Sequence, residues 1–322
     1  MQSLTIATRG SRLALWQAEH VAGLIRHATR TTHPGLVIEM LVVKTRGDAV
    51  LDKPLAEIGG KGLFVKEIEE ALLDGRADIA VHSMKDMPME LAEGLVLAAV
   101  PEREDPADMM LSVSFRGPSV LPSGCTVGTS SLRRQAQLLA VRPDVKVEPL
   151  RGNIDTRLRK LQEGQFDAII LASAGVTRLG LKAPHMERIA PDRMLPSAGQ
   201  GALGIEIRAD NPELAAILAT LGHAPTRLCV EAERGFLAGL QGDCRVPVGA
   251  YATLADDGSL RLEGMVAQTD GAAIVRRGVT GAPPLDPVQA RELGLALAAE
   301  VFENGGRSVL NTVLYGADAP QS

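Results

Sequence analysis

Short runs rich in Val and Ile alternate along this chain with longer runs of 3.6-residue period, a pattern that predicts an α/β protein. Leu4–Thr8 reads as a strand, and Ser11 as the cap of a helix reaching about Ala28. Val37–Thr45, Ala77–His82 and Leu95–Val100 read as further strands, with a helix over Leu63–Leu73 that carries Val65, Ile68 and Leu72 on one face. Pro101–Pro106 is charged and bracketed by prolines, which predicts a linker. A second α/β unit follows: strands at Thr126–Thr129, Val145–Leu150 and Phe166–Ala172, and helices at Leu132–Ala140 and Ile154–Gln162. Pro196–Gly201 reads as another hinge, followed by a strand at Gly204–Arg208 and a helix at Pro212–Leu221.

From about Ala224 the pattern changes. A helix over Thr226–Leu240 precedes three alternating runs, Val246–Leu254, Leu260–Gln268 and Ala273–Val279. Asp257-Gly258 and Asp270-Gly271 separate them, which predicts an antiparallel meander. A helix over Pro287–Glu303 closes a small α+β domain.

Composition narrows the function classes. At 322 residues the chain is long enough for two or three cores, taking roughly 150 residues per domain. A net charge of −5 and 2% aromatic residues argue against a nucleic-acid partner, which needs a basic surface or stacking platforms. No uncharged apolar run approaches the ~20 residues that span a bilayer, and the first residues lack the pattern of a secretory signal. Cys125, Cys229 and Cys244 show no CxxC or Cys/His spacing, so neither zinc nor a disulfide framework is expected. The expectation is a protein of the reducing cytoplasm with no membrane and no metal.

The candidate chemistry lies where predicted strands run into helices. Helix N-termini present unpaired N–H groups, and arginine adds a bidentate fork for carboxylate or phosphate. Arg9 and Ser11 sit at one such turn; Thr129, Ser130, Ser131, Arg133 and Arg134 at a second; Arg151, Asn153 and Arg157 at a third; Arg178 follows another strand. With no GxxxxGK[ST] phosphate loop present, a polycarboxylate is the better ligand. Gly59-Gly60-Lys61-Gly62 predicts a loop with close backbone approach, in which Lys61 reads either as a ligand contact or as a solvated charge. Lys85 and Asp86 fall at the end of the strand closing near His82. Asp86 reads either as a general acid/base or as an Asx turn ahead of Pro88, and His82 as a buried, hydrogen-bonded strand-end residue. Cys244 lies in a Gly-containing turn, open to covalent attachment or incidental.

These segments together resemble the porphobilinogen deaminase family. The stretches that carry the resemblance include IATRGSRLALWQA (6–18), GGKGLFVKE (59–67), DIAVHSMKDMP (78–88), VGTSSLRRQ (127–135), LRGN (150–153), PSAGQGALGIE (196–206) and CRVPVGAY (244–251), in order from residue 4 to beyond 310. The resemblance implies two α/β domains of periplasmic-binding-protein type around a cleft, plus a smaller C-terminal α+β domain. Their expected bounds are 1–101 with 201–221, 106–196, and 224–316. It implies a monomeric transferase that joins four porphobilinogen units into linear hydroxymethylbilane with release of ammonia, primed by a dipyrromethane cofactor in thioether linkage to Cys244. Asp86 matches the essential carboxylate. Arg9, Ser11, Ser83, Lys85, Thr129, Ser130, Ser131, Arg133, Arg134, Arg151, Asn153, Arg157, Arg178 and Gln200 match residues that hold cofactor and substrate. Lys61 and Phe64 match the active-site loop. Asp243 and Arg245 depart from the usual Gly and Gln beside the cysteine, Glu57 stands where some members have lysine, and Arg12 replaces a common proline. The rival expectation is a non-catalytic two-lobed anion receptor, which explains the arginines but has no use for Cys244.

Overall fold

Strand β1 (Ser3–Arg9) turns Leu4 and Ile6 to one face of a sheet and Ala7 to the other, following the two-residue period of its sequence. The computed structural model describes residues 1–45, 47, 65–240, 246–283 and 285–315. The chain divides into two compact units, Met1–Glu104 with Gly201–Arg227, and Asp105–Gln200 with Leu228–Ser322.

In the first unit, helix α1 (Arg12–Thr29) joins β1 to β2 (Val37–Val43), α2 (Lys66–Leu73) leads into β3 (Ile79–Ser83), and β4 (Leu95–Ala99) follows. β1 pairs in parallel with β2 and β3. When the chain returns at Gly201, β10 (Leu203–Arg208) inserts between β3 and β4, antiparallel to both. Helix α6 (Pro212–Ala219) joins α1 on one face, burying Ile6, Val21, Ile25, Ile79, Ile205 and Leu214. On the other face α2 contributes Ile68 and Leu72, packed with Ala7 and Ala80. Strands covered on both faces become near-continuous apolar runs, as β3 does.

The second unit repeats the plan. Its elements are β5 (Asp108–Ser112), β6 (Thr126–Gly128), α3 (Leu132–Val141), β7 (Lys146–Glu148), α4 (Ile154–Gln162), β8 (Ala168–Ala172), α5 (Ser173–Arg178) and β9 (His185–Ile189). The strand order β7-β6-β8-β5-β9 matches β2-β1-β3-β10-β4 position for position. In each sheet three parallel strands are followed by one antiparallel strand, which enters directly after the chain has crossed from the other unit. The α/β class is the expected one, with two similar α/β sheets and a smaller α+β element. That element comprises α7 (Ala224–Gly239), the meander β11 (Val248–Leu254), β12 (Leu260–Ala267) and β13 (Ile274–Gly281), and helices α8 (Pro287–Val301) and α9 (Arg307–Tyr315). Phe236, Leu262, Val266 and Leu297 fill its core.

Strands β5 and β9 and helices α5 and α9 were missed in the sequence. β5 begins with a charged residue, Asp108, that the fold buries completely, and β9 is an edge strand of half-exposed residues with no apolar period. The expected helix over 287–303 is found, ending at Val301; beyond a kinked turn, Phe302–Gly306, with two glycines at its end, comes α9, which the sequence did not predict. No helix among the described residues is long and apolar enough to cross a membrane.

Candidate active site

In the first unit the C-terminal ends of β1 and β3 lie side by side, because the two strands are parallel neighbours. Ser11 ends the β1 turn by accepting from Ala14 N–H at 3.3 Å and starting α1. One turn later Gln17 sits on the buried face of α1, and its Nε2 donates to Ser83 Oγ at 2.9 Å. Ser83 leads into a 3₁₀ turn, Met84–Asp86, closed by Met87 N–H donating to Met84 O at 3.2 Å. Arg9, Gln17, His82, Ser83 and Asp86 then line one pocket, with Ala14, Val65, Ile68 and Val81 as its apolar wall. Lys85 and Asp86 are exposed, and the Asp86 carboxylate makes no hydrogen bond among the described residues. The Asx-turn alternative for Asp86 is therefore not what holds this turn. His82 is buried as expected, with Nε2 2.9 Å from Glu206 Oε2.

Strand β10 is the mount of the turn. Met84 N–H donates to Ala202 O at 3.0 Å, and the thioethers of Met84 and Met87 close over Gly204. A Cβ on Gly204 would lie 2.6 Å from Met84 Sδ and 2.5 Å from Met87 Sδ. Gly204→Ala must therefore push aside the Met84 and Met87 side chains that flank Lys85 and Asp86. The expected result is a loss of about 1–3 kcal/mol, the usual cost of overpacking, measured as a lowered midpoint in urea.

In the second unit, β6 and β7 are parallel neighbours, so α3 and α4 begin next to one another. Ser131 Oγ caps α3, accepting from Arg134 N–H at 3.4 Å, while Ser131 N–H donates to Thr129 Oγ1 at 3.2 Å. Ser130 Oγ donates to Leu150 O at 2.9 Å and so ties the first turn to the second. Asn153 Oδ1 caps α4, accepting from Thr156 N–H at 2.9 Å, and Arg157 Nε donates to Gly152 O at 2.9 Å. Gly152 has φ +105, and a Cβ there would meet Thr156 Cγ2 at 2.7 Å, so the turn needs glycine on both counts. Arg151 and Arg157 are half-buried at this edge, and Arg178 closes α5 after the adjacent β8. Two helix N-termini with basic residues beside them suit carboxylate groups.

Three expected site residues make buried contacts in that unit. Arg133 Nη1 donates to Asp108 Oδ2 and to Leu195 O, both at 2.7 Å. Arg134 donates from Nε and Nη2 to Asp108 Oδ1, at 3.0 and 2.8 Å, and from Nη1 to Ile170 O at 2.9 Å. Gln200 Nε2 reaches Pro106 O at 2.6 Å and Asp108 Oδ1 at 2.9 Å. Asp108 is 0% exposed. Burial alone would raise its pKa; the Arg133 and then the Arg134 guanidinium reverse this and hold it far below the usual carboxylate range. Sequence reading missed Asp108 and Gln17. A glutamine on the apolar stripe of α1 was a readable signal, whereas nothing local marks Asp108. Lys61, Phe64 and Cys244 lie outside the described residues, as do Glu57, Asp243 and Arg245. Among the described residues no group of His, Cys, Asp and Glu is placed to hold a metal ion.

Comparison with known proteins bears on both units. Residues 4–216 match the family model "Porphobilinogen deaminase, dipyromethane cofactor binding domain", and residues 227–303 match "Porphobilinogen deaminase, C-terminal domain". The porphobilinogen deaminase of Nitratidesulfovibrio vulgaris is 61% identical over 98% of this chain and 98% of its own. Those of Maridesulfovibrio salexigens and Chromobacterium violaceum are each 53% identical, covering 97% and 98% of this chain and 99% of their own.

Proposed function

Because the chain belongs to the porphobilinogen deaminase family, we propose that Cys244 holds its dipyrromethane cofactor in thioether linkage and that Asp86 is the carboxylate at which the chemistry takes place. The enzyme is a transferase of tetrapyrrole biosynthesis that joins four porphobilinogen units head to tail into linear hydroxymethylbilane, releasing ammonia at each addition. The observation that carries the Asp86 assignment is its exposed carboxylate, engaged by no other described residue, in one pocket with Arg9 and Ser83.

The residues present fit a group bearing several carboxylates. The N-termini of α3 and α4, tied together by Ser130, offer N–H groups beside Thr129, Ser131, Arg151, Asn153 and Arg157, with Arg178 after the next strand. Bound to the protein, the cofactor supplies the free pyrrole α-carbon that the first unit joins. Arg9, Ser11 and Lys85 serve the acetate and propionate of the incoming substrate, fixing its ring for reaction. Asp86 donates a proton to assist departure of ammonia from the aminomethyl group. Its carboxylate then faces the pyrrole N–H of the azafulvenium cation and stabilises it. The same carboxylate would take up the proton released as the rings join, which would restore Asp86 for the next addition. Lys61 and Phe64 complete this reading as loop contacts of the substrate. The division into domains at 1–101 with 201–221, 106–196 and 224–316, a monomeric state and a cytoplasmic site of action belong to it as well.

Intact mass tests the attachment. The purified protein is expected to be heavier than its sequence by one dipyrromethane. Cys244→Ser should lose that mass and all activity, whereas Cys125→Ser and Cys229→Ser, at buried positions, should keep it. Cofactor mass retained on the Cys244 variant, or a parent with no added mass, would sink the assignment.

A further inference from the structure

β10 carries a carboxylate where its packing calls for an apolar side chain. Glu206 stands between Ile205 and Ile207 in the middle of the first sheet, on the face that α2 covers, and its side chain is 0% exposed. Burying a carboxylate is expensive unless something compensates it. Its Oε2 is 2.9 Å from His82 Nε2, and the His82 side chain is itself only 3% exposed. Its Oε1 is buried and has no hydrogen-bond partner among the described residues. Glu69 of α2 adds a second carboxyl to the cluster; burial and then the Glu206 charge push its pKa up. A fold under selection for stability alone would do as well with apolar residues here, since replacing a buried ionic pair by packed hydrophobic groups is often neutral or stabilising.

The pair sits directly against the reacting pocket. His82 is part of the pocket wall with Arg9, Ser83 and Asp86, and it immediately precedes Ser83 and the 3₁₀ turn. With Nε2 held 2.9 Å from the Glu206 carboxylate, the imidazole is fixed in one orientation. Ala202, just before the same strand, receives the turn's first N–H, and the strand seats the two methionines over Gly204. Alternate residues 202, 204 and 206 of the returning segment thus all act on the segment that ends at Asp86.

We propose that Glu206 and, through it, His82 are positioning residues of the deaminase pocket: the carboxylate fixes the imidazole that forms the wall beside Ser83, and so sets the placement of Asp86 against the substrate. This rests on the assignment of Asp86 above. Neither residue needs to exchange a proton with substrate; each acts through the turn.

The experiment uses holoenzyme with cofactor loading read by intact mass. A failure of the Cys244 assignment would show as missing mass in the parent, apart from any failure of this proposal. Glu206→Leu is close in size but cannot accept from Nε2–H. It is expected to lower kcat per loaded enzyme by about 10- to 100-fold, the range a displacement near 1 Å produces, with KM changed by less than about twofold. Glu206→Gln keeps an acceptor oxygen and is expected to stay within about threefold of the parent in kcat. His82→Leu combined with Glu206→Leu should be no slower than the slower single variant, because both remove one interaction. Parental kcat in Glu206→Leu, equal losses in the Gln and Leu variants, or additive losses in the double variant would each overturn the proposal. Should Glu206→Leu not fold, His82→Asn is read against Glu206→Gln with the same expected split, and a parental kcat in His82→Asn overturns it.

Discussion

Asp86→Asn is expected to leave the fold and the cofactor mass unchanged and to lower turnover by at least ~10²–10³-fold, the loss that follows removal of one preorganised electrostatic contact. The fold has little stake in this side chain. Its carboxylate is exposed, the turn is closed by backbone atoms of Met84 and Met87, and the neighbouring methionines anchor the turn on β10. Asparagine keeps the shape but can neither give up the proton that assists ammonia loss nor offer the charge that stabilises the resulting cation. Arg157→Leu is the comparison, since it removes a bidentate fork at the α4 edge while leaving the acid in place. It is expected to weaken carboxylate binding and stall elongation. Single-turnover ammonia release on cofactor-loaded protein separates the two. Release by Asp86→Asn at close to the parental rate would return Asp86 to the status of a turn residue.

The legible part of this protein was its local order. Ser11 caps α1 as its sequence predicts, α3 begins at the expected Leu132, and the Ile154–Gln162 helix has the expected bounds, because caps and periodicity act within a few residues. Arg9, Ser83 and Asp86 could be grouped because each ends or follows a parallel strand, and such ends are where α/β sheets hold ligands. Long-range partnership was not legible. Arg133 and Arg134 look like ligand forks in VGTSSLRRQ, yet the donors that hold them in place end on Asp108, some 25 residues earlier, and on the carbonyls of Leu195 and Ile170. Nothing in Asp108-Met109-Met110-Leu111-Ser112 announces a buried anion, because its meaning depends on which strand the sheet places beside it. His82 shows the intermediate case: its burial was predictable from the strand, whereas Glu206, 124 residues away, was not.

Asp108→Asn is expected to cost about 3–5 kcal/mol, the usual result of removing one partner from a buried ion pair. Two guanidiniums with side chains 5% and 7% exposed would keep only a neutral acceptor in place of an anion that takes bonds from Arg133, Arg134 and Gln200. A shortage of acceptors is worse than a shortage of donors here, since guanidinium cannot shed its charge by deprotonating at ordinary pH. The same geometry fixes the dependence on pH. Asp108 has its folded pKa depressed far below an unfolded value of about 3.9. Its contribution is therefore fully present above about pH 5 and is lost as pH falls from there toward the folded value, because in that interval the unfolded chain binds the extra proton. Denaturant titrations at neutral pH and near pH 3 should show the gap between parent and Asp108→Asn narrowing in acid. Arg133→Leu should lose stability in the same assay, as a partner of Asp108, whereas Arg157→Leu, which removes a single bond to Gly152 O, should lose less. A gap that is independent of pH would mean that the charge on Asp108 is not what holds the two arginines.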